Sequence, residues 1–188
     1  MATLEIRIFG DPALRQRAHE VEDFDGRLAT LAGNMFDTMR AAEGVGLAAN
    51  QVGVLKRLFT WEVPREDEEP IGGAVVNPVL LDASEQLQEG EEGCLSFPGL
   101  YFPLGRPLRV EIAYQDLGGD SHAVALEGYQ ARVWLHEMDH LDGILFIDHL
   151  AQHDRKEALR QMREYRIDHG GDATPKQPGG LLLGRQAL

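Results

Sequence analysis

GYQARVWLHEMDHLDG, residues 128–143, predicts a helix with a glycine at either end. His136 and His140 are four residues apart, just over one helical turn, so both imidazoles leave the same face and can bind one metal ion. Glu137 follows the first histidine and can take a proton from a water beside that ion. The stretch therefore predicts a metal-dependent hydrolytic site on a helix.

A catalytic metal site of this kind needs a third protein ligand. The longer HExxHxxGxxH pattern fails because Phe146, which cannot bind a metal, stands at its last position. Glu164 would be the thermolysin-like solution, but it belongs to a charged segment that leads into a glycine-rich tail. Cys94, the only cysteine, is the other candidate, and a thiolate with two imidazoles suits zinc, iron or nickel.

The remaining patterns indicate an α+β fold. A helix is predicted over 26–43, with Asp25 as its N-cap and Gly44 at its end, and a charged helix over 151–168. The predicted strands are 57–61 and 74–80, which flank an acidic loop at 64–70, and the hairpin 108–115 with 121–127, which turns at Gly118-Gly119. We expect mainly antiparallel strands around the central HExxH helix, with one helix towards each terminus.

The composition of the chain indicates its domain organisation, its location in the cell and the kinds of partner that it disfavours. The chain has 188 residues, of which 43% are hydrophobic, so we expect a single catalytic domain, 1–168, and a flexible tail, 169–188. No apolar run is long enough for a membrane span and the N-terminus does not read as a secretory signal, which predicts a cytoplasmic protein. The net charge of −13 disfavours DNA binding through phosphate contacts.

Two further motifs accompany the HExxH. Residues 44–51 read GVGLAANQ and residues 91–96 read EEGCLS. With HEMDH they occur in the order GΦGΦAAxQ, EGCΦS, HExxH (Φ being apolar), and about residues 4–165 resemble the peptide deformylases. The family's activity is hydrolysis of the N-formyl group from the initiator methionine of new polypeptides, which releases formate.

The resemblance implies a role for each matching residue. Cys94, His136 and His140 would be the metal ligands and Glu137 the general acid and base. Gln51 would donate its side-chain amide, and Leu95 its backbone N–H, to the formyl oxygen. Gly46 would pair its main chain with the substrate peptide. An apolar slot for methionine is also needed, and its candidates are Val45, Gly44, Val133 and Tyr129.

Cofactor and partner expectations follow from the same resemblance. It implies Fe(II) as the native ion, while the ligand set also accepts Zn, Ni or Co. It implies an N-formylmethionyl peptide as substrate and a ribosome contact, for which the helix at 151–168 offers the only locally basic surface. Two other functions stay open: a zincin-like metallopeptidase that uses Glu164, and a non-catalytic structural metal-binding module. The module is disfavoured because closed zinc sites usually contain two or more cysteines.

Overall fold

The computed structural model describes residues 3–65 and 68–169. Three helices occur in this part of the chain: α1 Gly26–Ala41, α2 Gly128–Leu141 and α3 Gln152–Asp168. Its strands are β1 Gly46–Ala48, β2 Leu58–Arg65, β3 Glu68–Ala83, β4 Leu87–Gln88, β5 Glu91–Cys94, β6 Phe97–Pro103, β7 Arg106–Pro107, β8 Arg109–Gln115 and β9 Ser121–Glu127. Single 3₁₀ turns lie at Pro12–Arg15, Ala49–Val52 and Phe146–Asp148.

All strand pairs of these sheets are antiparallel. The largest sheet has the order β1-β2-β3-β8-β9, and the pairs β4-β7 and β5-β6 form two small sheets. Helix α2 packs against β1 and β2 of the large sheet, and the other two helices lie nearer the ends of the chain. The predicted α+β architecture, antiparallel strands around the HExxH helix, is confirmed.

Helix α2 is buried because almost every side chain of its second half is held in the core. From Ala131 to Leu141 only Asp139 is not buried. Trp134 anchors the helix to the sheet through edge-on contacts with the rings of Phe59, Trp61 and Tyr114, whose centroids lie 5.3 to 5.4 Å away. The next turn of α2, which carries His136 and Glu137, is thereby held against the sheet.

Two details of the predicted elements were wrong. Helix α1 begins as expected, with the Asp25 carboxylate accepting N–H groups of the first turn, but it ends at Ala41. The left-handed residue after it is Glu43, with φ +54°, and not Gly44. Gly44 has a different use. A Cβ there would lie 2.8 Å from Leu95 Cδ1, so the absence of a Cβ lets the Leu95 side chain pack against this backbone.

The acidic loop expected at 64–70 is instead mostly strand. β2 and β3 pair along their length, from Leu58 with Val76 to Arg65 with Glu68, and Arg65 and Glu68 also form an ion pair at 2.5 Å. Pro64 is accommodated where the register shifts between Val63 and Arg65. Apolar alternation did not reveal these strand ends because their side chains are exposed, and backbone pairing alone forms them.

Other predictions concern the ends of the chain. No helix in the described part of the chain has the length and apolar character that crossing a bilayer requires. The expected tail, 169–188, lies outside the described residues except for His169. The division into a catalytic domain and a tail therefore stays a prediction.

Candidate metal centre

Three predicted ligands from two distant parts of the chain meet in the core. Cys94 is the last residue of β5, and His136 and His140 lie one turn apart on α2. Their ligand atoms all lie within 4.8 Å of one another, and Cys94 Sγ is 3.1 Å from His140 Nε2. Each residue is at most 3% exposed. Ligand atoms around a tetrahedral ion stand roughly 3 to 4 Å apart, so the donor set fits a divalent ion such as zinc or iron.

Glu164, the ligand that a metallopeptidase would need, is not part of this cluster. It lies exposed on α3, where its carboxylate accepts from Arg160 at 2.5 Å. Among the described residues the only group of three potential ligands that meets is Cys94, His136 and His140. The geometry therefore favours the cysteine over the glutamate as third ligand.

A buried carboxylate, Glu92, orients the first histidine. Glu92 Oε1 lies 2.7 Å from His136 Nδ1, so the other ring nitrogen faces the thiol. Burial would raise the pKa of Glu92, but its hydrogen bonds to His136 and Arg106 outweigh this and hold the pKa well below its usual range. A carboxylate behind a metal-bound histidine fixes the orientation and tautomer of the ring.

Two buried arginines complete the surroundings of Glu92. Arg106 binds both carboxylate oxygens, at 2.6 and 3.0 Å, and Arg132 binds Oε2 at 3.1 Å. Arg106 also binds Asp139, the residue before the second histidine, at 2.7 Å. Sequence reasoning quoted Glu92 in its motif but gave it no role. One feature of the sequence could have indicated it: Arg132 lies four residues before His136, on the same helical face, where a buried arginine would need a carboxylate partner.

The surroundings of the two imidazoles shift their pKa values in opposite directions. Burial lowers the pKa of His136, but hydrogen bonds and charge from Cys94 and Glu92 outweigh it and raise the pKa well above the usual value. Burial and the neighbouring charge of His136 lower the pKa of His140 well below that value. Metal binding would release the proton of His136, because ligands bind in their deprotonated form.

Glu137 lies beside the ligands with one oxygen free. It is 2% exposed, and no described protein group lies within hydrogen-bond distance of Oε2. Burial raises the pKa of this carboxyl to about 7, where a group can both accept and return a proton at neutral pH. Gly46 lies against the carboxylate so closely that a Cβ at this position would overlap it. The Glu137 carboxylate thus occupies the space that a side chain at position 46 would fill.

Gln51 is held so that its amide nitrogen faces the thiol. Its Oε1 accepts the backbone N–H of Ala48 at 2.8 Å, which fixes which end of the amide points inward. Nε2 lies 3.5 Å from Cys94 Sγ and 3.2 Å from Ser96 Oγ.

Leu95 lies in the turn between β5 and β6, just after a register shift at Gly93 and Cys94. Such a shift leaves a residue out of the ladder.

The predicted methionine slot is only partly exposed. Val133 is fully buried in the core, while Val45 and Tyr129 pack at the edge of the same cluster and are partly exposed. Gly44 packs against Leu95, as described above. Contact of these four residues with a substrate therefore stays a prediction, and Val133 needs a neighbour to move before anything can touch it.

Comparisons with known proteins agree with this geometry. The family model described as polypeptide deformylase matches residues 3–156. Peptide deformylase 1 of Corynebacterium glutamicum is 47% identical, with 87% of this chain and 96% of the relative covered. The peptide deformylase of Parafrankia sp. is 47% identical over 98% of this chain and 99% of its own length.

Solved structures show the same likeness. The peptide deformylase of Thermus thermophilus aligns with a TM-score of 0.81 and 43% identity, over 92% of this chain and 100% of that one. The enzyme of Ehrlichia chaffeensis in complex with actinonin aligns with a TM-score of 0.81 and 37% identity, over 88% and 98%. With the family model matching most of its length and the metal centre of its three motifs in place, the chain belongs to the polypeptide deformylase family.

Proposed function

We propose that this chain hydrolyses the N-formyl group of N-formylmethionyl peptides and releases formate. The observation that carries the proposal is the meeting of one thiol and two imidazoles beside a buried carboxylate with a free oxygen. Family membership supports it, since the relatives compared above are named peptide deformylases. Cys94, His136 and His140 would hold the ion.

The residues around the ion would divide the remaining chemistry between them. A divalent ion held there supplies a nucleophile from water near neutral pH. Glu137 takes the proton of the attacking water and returns it to the departing amine. The formyl oxygen gains negative charge as its carbon becomes tetrahedral, and the Gln51 amide and the Leu95 N–H donate to it. Loss of one such donor typically costs about 10²- to 10³-fold in rate.

The sheet offers a place for the peptide part of the substrate. β1 is an end strand of the large sheet, paired on one side with β2 through Gly46 and Trp61. A peptide can add to such an edge by main-chain hydrogen bonds, which is how Gly46 would bind it. Gly44, Val45 and Val133 would then lie near its first side chain.

Cys94→Ala is the variant that separates this proposal from its rivals. The parent protein should release formate from formyl-Met-Ala-Ser, and the variant should lose that activity because one metal ligand is gone. Neither form should degrade casein. Casein cleavage by the parent would support the metallopeptidase, and a parent that binds metal but has no activity would support the structural module.

We propose Fe(II) as the native ion. A ferrous thiolate centre is expected to lose activity in air, because oxygen can oxidise the Cys94 sulfur, and to recover partly when nickel is added to the apoprotein. The measurement is metal content and formate release on one sample, with an anaerobic preparation as control. Full activity in air with one zinc per chain would contradict iron.

We also propose a ribosome contact through α3, which would place the protein in the cytoplasm where nascent chains emerge. Much of the positive charge of α3 is already paired: Arg155 with Asp148, and Arg160 with Glu157 and Glu164. Lys156, Arg163 and Arg166 are exposed and have no ion-pair partner among the described residues. The guanidinium of Arg166 lies against Gly10, which leaves Lys156 and Arg163 as the side chains that we propose for phosphate contacts.

The contact can be tested without removing α3, whose Ala158 and Met162 are buried in the core. A variant with Lys156→Glu and Arg163→Glu is expected to co-sediment with ribosomes less than the parent does at low salt, and the difference should shrink at high salt because salt screens phosphate contacts. A variant with Arg27→Glu and Arg109→Glu makes the same change in net charge elsewhere on the surface. Equal co-sedimentation of both variants would contradict a contact through α3.

A further inference from the structure

Asn50 is a fully buried polar residue that contacts the second histidine. It lies in the 3₁₀ turn Ala49–Val52, next to Gln51, and its exposed fraction is zero. Its Nδ2 donates to the backbone carbonyl of His140, in the last turn of α2. The same turn therefore contacts two of the three ligands, Cys94 through Gln51 and His140 through Asn50.

Two buried atoms at this contact have no partner. Within the described part of the chain, Asn50 Oδ1 and His140 Nδ1 have no hydrogen-bond partner. His140 Nε2 faces the thiol at 3.1 Å, so in the neutral ring that binds metal through Nε2 the proton is on Nδ1. One atom is thus an acceptor without a donor and the other is a donor without an acceptor. Buried polar atoms are nearly always hydrogen-bonded.

Only a few buried side-chain atoms are candidates to accept the Nδ1–H of His140. The buried side-chain acceptors without a partner among the described residues are Asp37 Oδ2, Asn50 Oδ1 and Glu137 Oε2. Asp37 lies on α1, and Glu137 lies against Gly46. Asn50 is the one whose side chain already binds the main chain of His140.

The first histidine shows what such a partner does. His136 Nδ1 is held at 2.7 Å by Glu92, which comes from β5. A metal-bound histidine almost always donates its second ring N–H to a carboxylate, a carbonyl or a water. His136 has that partner, and His140 has the same need.

We propose that Asn50 is a positioning residue for His140: its Nδ2 holds the backbone carbonyl and its Oδ1 accepts the Nδ1–H of the same residue. The inference rests on the metal centre of the proposed function. Glu92 and Asn50 then serve the two imidazoles in parallel, the first as a charged acceptor and the second as a neutral one. The proposed bond joins two buried atoms that have no other partner among the described residues, on two residues that already contact each other.

The experiment uses the zinc-loaded full chain and the variants Asn50→Ala and Asn50→Asp. Asn50→Ala is expected to weaken Zn²⁺ affinity about 10- to 100-fold in competition with a chelator. In nitrogen-15 NMR, the His140 Nδ1–H should exchange with water faster than in the parent. Asn50→Asp keeps an acceptor, so it should retain the slowly exchanging Nδ1–H and lose less affinity than Asn50→Ala does.

Thr38→Val is the matched control, because it removes another buried hydrogen-bonding side chain. Thr38 accepts from the Leu4 N–H and donates to the Asn34 carbonyl, both away from the metal ligands. It should lower the melting temperature and leave Zn²⁺ affinity unchanged. Parent-like affinity in Asn50→Ala, or loss of the Nδ1–H signal in folded Asn50→Asp, would overturn the inference.

The outcome for the parent protein separates this inference from the proposed function. A parent that binds Zn²⁺ tightly, with affinity lost in Asn50→Ala, but that releases no formate when loaded with Fe(II) or nickel would contradict the proposed function and support the role of Asn50. A parent that does not bind Zn²⁺ would contradict both.

Discussion

Glu137→Gln is expected to lower kcat for formate release by about 10²- to 10⁴-fold, the usual contribution of a positioned general acid and base. Glutamine has nearly the same shape as glutamate but cannot take a proton from water. The side chain is buried, and its Oε2 has no partner among the described residues, so little of the fold depends on its charge. Metal content and melting temperature should therefore stay close to those of the parent.

The control for this variant is Glu164→Gln, which neutralises the carboxylate that the rival metallopeptidase would use. Glu164 is exposed, bound to Arg160 and outside the cluster of potential metal ligands, so its loss should leave kcat unchanged. A fall in kcat for Glu164→Gln, with none for Glu137→Gln, would reverse the assignment of these two residues.

Gly46→Ala should affect the same group by a steric route. A Cβ at this position would overlap the Glu137 carboxylate, and the Glu137 side chain would have to move from its present position beside the candidate ligands. If the added Cβ displaces Glu137 in this way, the variant should have a lower kcat than the parent while it still binds metal. Unchanged kcat would show that Glu137 has room to move and still act.

Glu92→Gln is expected to cost about 3 to 5 kcal/mol of the free energy of unfolding, the usual effect of removing one partner from a buried ion pair. The change leaves Arg106 and Arg132, both buried, facing a neutral amide. It also loosens the support of His136, so metal affinity should fall about 10- to 100-fold. Urea unfolding and chelator competition measure the two effects separately.

The stabilisation that Glu92 provides is expected to decrease at low pH. The pKa of Glu92 is lower in the folded chain than in the unfolded one, because His136 and Arg106 outweigh the effect of burial. Its contribution to stability is therefore fully present above about pH 4.5, the ordinary range of a glutamate, and is lost as the pH falls below it. The difference between parent and Glu92→Gln should shrink as the pH falls from about 5 to about 3.

Glu91→Gln is the matched control, since Glu91 precedes Glu92 on the same strand but is exposed. It should change the free energy of unfolding by no more than about 0.5 kcal/mol. An equal loss in both variants would mean that the effect comes from net charge and not from the buried network.

Some of the fold could be predicted because the pattern that shows it is local. Helix α2 is visible in the sequence since its two ligands, its apolar face and its terminal glycines all lie within one short stretch, 128–143. The hairpin of β8 and β9 is visible for the same reason, with apolar alternation on both sides of a glycine pair. The ends of β2 and β3 were missed because exposed strand residues carry no apolar signal.

The candidate site likewise has parts that the sequence indicates and parts that only the structure shows. The three motifs by themselves indicated Cys94, His136 and His140 as metal ligands and Glu137 as the proposed acid and base, because few types of side chain can do this chemistry. Glu92 with its two arginines, the space at Gly46 and the contact of Asn50 with His140 were decided only by the tertiary structure. The physical reason is that ligand chemistry is a property of single residues. Orientation and support depend on distances between segments that lie 40 to 90 positions apart in the chain.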